Sequence, residues 1–198
     1  MFSAISASNK LLLLTSVISL TISVRQAEAF TIYMEDFNDP ADQGKGAVGV
    51  NSSTSPVIDT SGVDWTIDVS NANLTASSDF FRVQNNQFEA QDVDGEAIWS
   101  SPVIDISSFS DVSFAIDFSE LGELEETGSV NADYVDVTYI LDGATFSIPN
   151  QNGVVGAPNV GQHTLLGDFG SQTISQTGLS GTNLQLNVAI RNLSLIHI

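Results

Sequence analysis

A strict two-residue alternation of apolar and polar side chains limits this fold more than any other feature of the chain. Asp111-Val112-Ser113-Phe114-Ala115-Ile116-Asp117-Phe118 alternates without a fault. Residues 133–141 put Val135, Val137, Tyr139 and Leu141 on one side, with Tyr134, Asp136, Thr138 and Ile140 on the other. Leu184, Leu186, Val188 and Ile190 repeat the pattern. Successive side chains of an extended backbone point to opposite faces, so these segments read as strands with one buried face.

Further strands are expected at 30–37, 64–69, 80–83, 88–90, 97–99, 103–106 and 145–148. Asn85-Asn86 and Asp142-Gly143 supply turn chemistry between neighbours, and 41–56 reads as a Gly-, Ser- and Asn-rich loop. No segment after the amino terminus keeps a 3.6-residue period, and the acids at 121–126 read as a solvated loop. Ser55-Pro56-Val57-Ile58-Asp59 recurs as Ser101-Pro102-Val103-Ile104-Asp105, which reads as two similar strand starts or coincidence. Many short strands, each with one apolar face, predict an all-β chain: an antiparallel β-sandwich of jelly-roll type over residues 30–192.

The two ends read differently. Lys10 precedes an apolar run, Leu11 to Val24, and Ala27-Glu28-Ala29 has the small-x-small form of a signal-peptidase site. The run is short of the roughly 20 residues a membrane-spanning helix needs, so cleavage after Ala29 and secretion are expected. No later segment reads as a membrane span. Leu193-Ser194-Leu195-Ile196-His197-Ile198 matches the translation of a common sequencing adapter, so residues 193–198 are expected to be foreign and the natural chain to continue with further domains. On that reading His197 is no ligand and Asn192 no glycosylation acceptor.

Composition narrows the partners. Removing residues 1–29 takes away Glu28, Lys10 and Arg25, leaving 23 acids and three bases. Phosphate backbones are bound by Lys and Arg, so nucleic acid is not an expected partner, nor is an anionic membrane. Such a balance suits cations and a soluble exterior surface. Without cysteine there is no disulfide framework, zinc-thiolate site or thiol nucleophile.

Asp92-Val93-Asp94-Gly95-Glu96 is where site chemistry is expected. On a regular strand its three carboxylates share one face and repel one another unless a cation or water lies among them. Calcium, which takes about six to eight oxygen ligands, suits Asp92, Asp94 and Glu96, although the spacing is not that of an EF-hand. The plain alternative is a wet acidic hairpin. A glycosidase needs two carboxylates roughly 5–10 Å apart. Some glycanases carry Glu-x-Asp-x-Glu on one strand, but here the first position is the shorter Asp92, and Gly95 interrupts the motif.

Several segments together resemble a family. They are Glu35-Asp36-Phe37, Trp65-Thr66, Phe81-Arg82-Val83-Gln84-Asn85, Phe88-Glu89-Ala90, the acidic stretch through Trp99, Ile104-Asp105-Ile106, and Asp133 to Tyr139 leading to Leu141-Asp142-Gly143. The chain resembles the jelly-roll modules, concanavalin A-like or galactose-binding-like, of secreted multidomain bacterial proteins. That resemblance implies a non-catalytic accessory module that binds an extracellular glycan or a cell-surface component, or supports adhesion. It also implies a structural calcium, with Glu35 as a ligand near the first strand and Asp36 as the weaker choice.

Sugar rings stack on exposed aromatics, so Trp65, Trp99, Tyr134 and Tyr139 are the residues to consider for ligand binding. Trp65 shares a face with Ile67 and Val69 and is expected in the core. Trp99, beside the acidic stretch, is expected at a sheet edge, and Tyr134 on the mixed face; these two are the candidate ligand contacts. His163 lies in a polar loop with no Gly-x-Ser-x-Gly elbow to join it. Asn51 and Asn73 head sequons. The alternatives are a purely structural or protein-interaction module and, third, a glycoside hydrolase using Asp92, Asp94 and Glu96.

Overall fold

The alternating segments form strands, and the pairings between them are antiparallel. A computed structural model of the chain describes residues 5–7, 29–49, 57–59, 62–122, 124, 132–156 and 161–198. The apolar run expected to be a signal sequence, the Asn51 sequon and most of 121–131 lie outside the described residues. In chain order the first strands are β1 (Ile5–Ala7), β2 (Phe30–Tyr33), β3 (Gly46–Val48), β4 (Val57–Asp59), β5 (Thr66–Asn73) and β6 (Phe80–Gln84). The long β7 (Gln87–Ser100) comes next, then β8 (Ile104–Asp105), β9 (Val112–Leu121), β10 (Tyr134–Leu141) and β11 (Ala144–Ser147). The last are β12 (Leu165–Leu166), β13 (Ser171–Leu179) and β14 (Asn183–His197). The described residues contain no helix.

Two long strands organise the sheet. The carboxy-terminal part of β7 pairs with the amino-terminal part of β14, and β5, β4, β10, β11 and β12 extend that half. The amino-terminal part of β7 pairs with the far end of β14, and β6, β3, β9 and β13 extend the other half. The halves face each other. Trp65 meets Phe88 edge-on with centroids 5.6 Å apart, and Phe114 of β9 meets Tyr139 of β10 at 5.7 Å. This is consistent with a β-sandwich.

One continuous core fills the space between the halves, with Ile67 and Val69, Val135 and Val137, and Val188 and Ile190 among its members. Phe37 is fully buried among Trp65, Phe88 and Trp99, at centroid distances of 5.5–6.2 Å. It holds a positive φ of 56°, a conformation costly for a bulky residue and sustained here by burial on every side.

Several expected boundaries shift. The first strand stops at Tyr33 instead of running to Phe37, because the left-handed residue turns the chain into the core. Segments 88–90 and 97–99 belong to one strand, β7. The expected strand at 103–106 shrinks to the two residues of β8. β13 has no counterpart among the expected strands: only its Ile174 and Leu179 are buried, so a largely Ser, Thr and Gln segment shows little alternation of hydrophobicity. β1 lies inside the segment expected to be cleaved and pairs with β2 and β9. At the other end, the last strand runs on from Ile190 to His197, through residues read as adapter translation, and Ile196 and Ile198 are buried. Asn192 is fully buried and its Nδ2 donates to the Ala90 carbonyl at 2.8 Å.

Phe88 touches rings from both halves, so its removal opens a cavity at the centre of the core. Phe88→Ala is expected to lower unfolding free energy by about 3–5 kcal/mol in guanidinium denaturation. Phe146→Ala, at a residue 43% exposed on edge strand β11, should cost about 1 kcal/mol or less.

Candidate functional site

The acidic stretch sits where β7 bends from one half of the sandwich to the other. Ala97 pairs with Ile190 and Val93 with Asn192, so β7 uses four steps where β14 uses two. The surplus steps fall at Asp94-Gly95-Glu96, which stay paired with Asn73, Ala72 and Asn71 of β5. Gly95 has φ 109°, and a Cβ there would lie 2.1 Å from the Asn71 carbonyl oxygen, so only glycine fits. Asp92 also has positive φ, 51°. Val93, Ala97 and Trp99 are buried, so Asp92, Asp94 and Glu96 alternate with inward-facing residues, and Asp94 adds, after burial and Asp79, to the raising of the Asp92 carboxyl.

Each acid meets a different partner. Asp92 is half-buried and turned toward Asp79; burial first, then Asp79, raises its carboxyl above the usual range. Asp79 itself is held low by hydrogen bonds from Ala76 N–H, the Ser78 hydroxyl and Thr75 N–H, against the effect of burial. Asp94 is exposed, accepts from Asn73 Nδ2 at 3.4 Å and lies 3.9 Å from Arg191. Glu96 accepts the Tyr134 hydroxyl at 2.8 Å. Among the described residues, no three His, Cys, Asp or Glu side chains are arranged to hold a metal ion.

The structure does bring Asp94, Glu96 and Tyr134 together on one surface. Tyr134 lies opposite Arg191 across β10 and β14. The His163 ring stacks on Tyr134 with centroids 3.9 Å apart and planes 10° from parallel. His163 Nδ1 is 2.8 Å from Asp136 Oδ2, and Thr164 N–H donates to Asp136 Oδ1 at 3.0 Å. Burial, then Glu96, pushes the Tyr134 hydroxyl well above its ordinary pKa, so it remains a donor. One face of this ring is therefore occupied. Trp99 is 1% exposed in the core instead of at a sheet edge, which removes it as a stacking platform. Trp65 is buried, as its strand pattern implies. Sequence reasoning passes over two exposed aromatics: Phe30, stacked on Phe109 at 6.1 Å, and Phe146, stacked on the buried Tyr139 at 5.0 Å; the register of Phe146 opposite Tyr139 after the Asp-Gly turn is the signal that could have found it.

Glu35 belongs to a separate place. Past β2, the chain folds around a hollow of about 510 Å³ whose lining includes Glu35, Asp36, Asp39, Asp42 and Asp64 and, among the described residues, no basic side chain. Gln43 Nε2 donates to the Phe37 carbonyl at 2.8 Å, tying this loop to the aromatic core. Asp36 and Asp39 spend an oxygen on the N–H of Asn38 and Ala41. Glu35 accepts Phe37 N–H at 2.7 Å, yet burial, Asp42, Asp64 and Asp36 push its carboxyl up to about 7. Burial first, and then Asp39, Asp64 and Asp36, likewise raise Asp42. The buried Trp65 Nε1 lies on the Asp42 side without completing a hydrogen bond of normal geometry. The buried Tyr33 hydroxyl also has no hydrogen-bond partner among the described residues; burial, then Asp64, Glu35 and Asp42, raises it. Asp42 and Asp64 escape a sequence reading because 22 residues separate them; the acid density at 35–42 is the visible hint.

Compared with known protein families and with curated proteins, the chain matches none.

The raised Glu35 carboxyl fixes the sign of a pH effect. Its proton is held more tightly in the folded state, so its contribution to stability is complete below the unfolded value, near 4.5, and is lost as pH rises through about 7. In chelator-treated buffer, the melting temperature of Glu35→Gln relative to wild type should therefore increase between pH 5 and 8. A constant difference would show that Glu35 does not titrate abnormally.

Proposed function

We propose that the chain is a secreted, non-catalytic jelly-roll module of a longer protein, stabilised by calcium and binding an extracellular glycan or cell-surface component. The carrying observation is the hollow: burial first, and then the neighbouring carboxylates, raises Glu35 and Asp42, with no basic side chain among the described lining residues. A hard dication relieves that repulsion and supplies oxygen coordination, so calcium fits the donor set chemically. Glu35, Asp42 and Asp64, with Asp36 and Asp39, line the hollow and would supply the oxygen ligands. Secretion rests on Lys10, the run from Leu11 to Val24 and Ala27-Glu28-Ala29.

The glycan contact is assigned to the surface built from Tyr134, Glu96, Asp94, Arg191, Asp136 and His163. It offers charged acceptors, a guanidinium and ring edges in one strip, the polar equipment that orients sugar hydroxyls. The non-catalytic reading is supported by the engagement of Glu96 with Tyr134 and of Asp94 with Asn73.

Calcium titrated into the chelator-treated chain is expected to release or absorb heat and to raise the melting temperature. Asp42→Asn should weaken binding by about tenfold or more. No heat with an unchanged melting temperature removes the calcium reading. On a panel of laminarin, xylan and agarose oligosaccharides, binding should fall by about tenfold in Glu96→Gln and stay unchanged in Ser110→Ala. Binding unaffected by Glu96→Gln would place the contact elsewhere.

A further inference from the structure

Between β11 and β12 the chain carries the single Asn-Gly pair of its sequence, Asn152-Gly153. The turn there requires glycine, because residue 153 holds φ at 73°, in the left-handed region. Lacking a Cβ, a glycine also leaves its own backbone nitrogen unshielded beside the side-chain amide of the residue before it. Gly153 is exposed, with open space where a side chain would lie, so water reaches it. The turn therefore imposes a reactive pair on the surface.

Hydrogen bonds hold this loop to the segment that leads into β12. Asn152 Nδ2 donates to the Leu166 carbonyl at 2.9 Å, and Gln151 N–H donates to the Thr164 carbonyl at 2.8 Å. Asn150 Nδ2 donates to the carbonyls of Val154, at 2.9 Å, and His163, at 3.2 Å. Asn150 Oδ1 in turn accepts the Gly153 N–H at 2.7 Å. That last bond engages the one nitrogen able to attack Asn152.

We propose that Asn152-Gly153 is a site of spontaneous deamidation gated by Asn150: closed while Asn150 Oδ1 holds the Gly153 N–H, and open when the loop swings away from 163–166. The attacking group is the Gly153 nitrogen once its proton has passed to hydroxide. A hydrogen-bonded amide gives up that proton slowly, as it does in hydrogen exchange. When freed, the nitrogen bonds to Asn152 Cγ, the Cγ–Nδ2 bond breaks, and ammonia leaves with a proton from water. Water then opens the cyclic imide to aspartate or isoaspartate at position 152, so water is the sole co-reactant. The product places a carboxylate where an amide N–H faced the Leu166 carbonyl, and attraction becomes repulsion. Loss of ammonia makes the change one-way. It releases the loop from 163–166, the stretch from which His163 stacks on Tyr134.

The test follows the amide-to-acid mass gain of peptides covering 149–156 while the full chain is held at mildly alkaline pH, folded or unfolded in guanidinium. Folded wild type should convert at least about tenfold more slowly than the unfolded chain. Asn150→Ala, still folded by its melting transition, should convert about three- to tenfold faster than folded wild type, the worth of one hydrogen bond. Unfolded, the two should convert alike, which shows that Asn150 acts through the fold. Folded wild type converting as fast as the unfolded chain overturns the proposal, as does a folded Asn150→Ala no faster than wild type. Amide exchange of Gly153 in wild type decides the matter even if that variant does not fold. Slow exchange supports the gate, and exchange at the rate of an unstructured peptide overturns it.

Discussion

Both halves of the sandwich hang on the pairing of β7 with β14. These strands, 14 and 15 residues long, are the longest among the described residues and the two that run through both halves. Because they are shared, the halves cannot be built independently, and the bend in one strand must be matched by the other. The mismatch of steps around Ala97 and Val93 accommodates this, while Asp94-Gly95-Glu96 stay paired with β5. The inward residues Phe88, Ala90, Val93, Ala97 and Trp99 form a buried ridge. At about 1.5–3 kcal/mol for each large side chain removed from water, that ridge anchors the core into which Phe37, Trp65 and Phe81 pack.

A second constraint is charge. With 24 acids and five bases in the whole chain, carboxylates cannot be balanced by ion pairs. Backbone amides take that role instead. Glu120 accepts the N–H groups of Phe169 and Gly170, Asp142 those of Thr182 and Asn183, and Asp168 that of Leu124. Such charge-assisted bonds satisfy acids and tie loops to strands. The hollow behind β2 is where this solution runs short: Glu35 has one amide, and Asp42 faces an indole N–H that does not quite reach it. Burial first, and then the neighbouring acids, raises Glu35 and Asp42 above the usual carboxylate range.

The fold is legible in the sequence wherever one face of a strand is buried against water on the other. Val112 to Phe118 and Tyr134 to Leu141 reveal their strands because each step changes side. β13 stays hidden because its half-buried positions include Gln172 and Gln176, so the pattern fades. The site is legible as acidity but not as geometry. A two-residue period shows that Asp92, Asp94 and Glu96 alternate with the buried Val93 and Ala97, but not that their side chains meet Asp79, Arg191 and Tyr134. Trp99 is misplaced for a related reason: local polarity suggests an edge, while β7 carries it into the interior. Asp42 and Asp64 meet only through tertiary structure.

The acids behind β2 are either mutually repelling groups awaiting a cation or ordinary solvated carboxylates. Carbon-13 NMR of the side-chain carboxyls distinguishes these directly, by following Glu35 through a pH titration with and without calcium. The expected result is titration near pH 7 in chelator-treated protein and a fall to the ordinary glutamate range when calcium is added. A Glu35 carboxyl that titrates as a normal glutamate and does not respond to calcium would contradict the cation-binding reading.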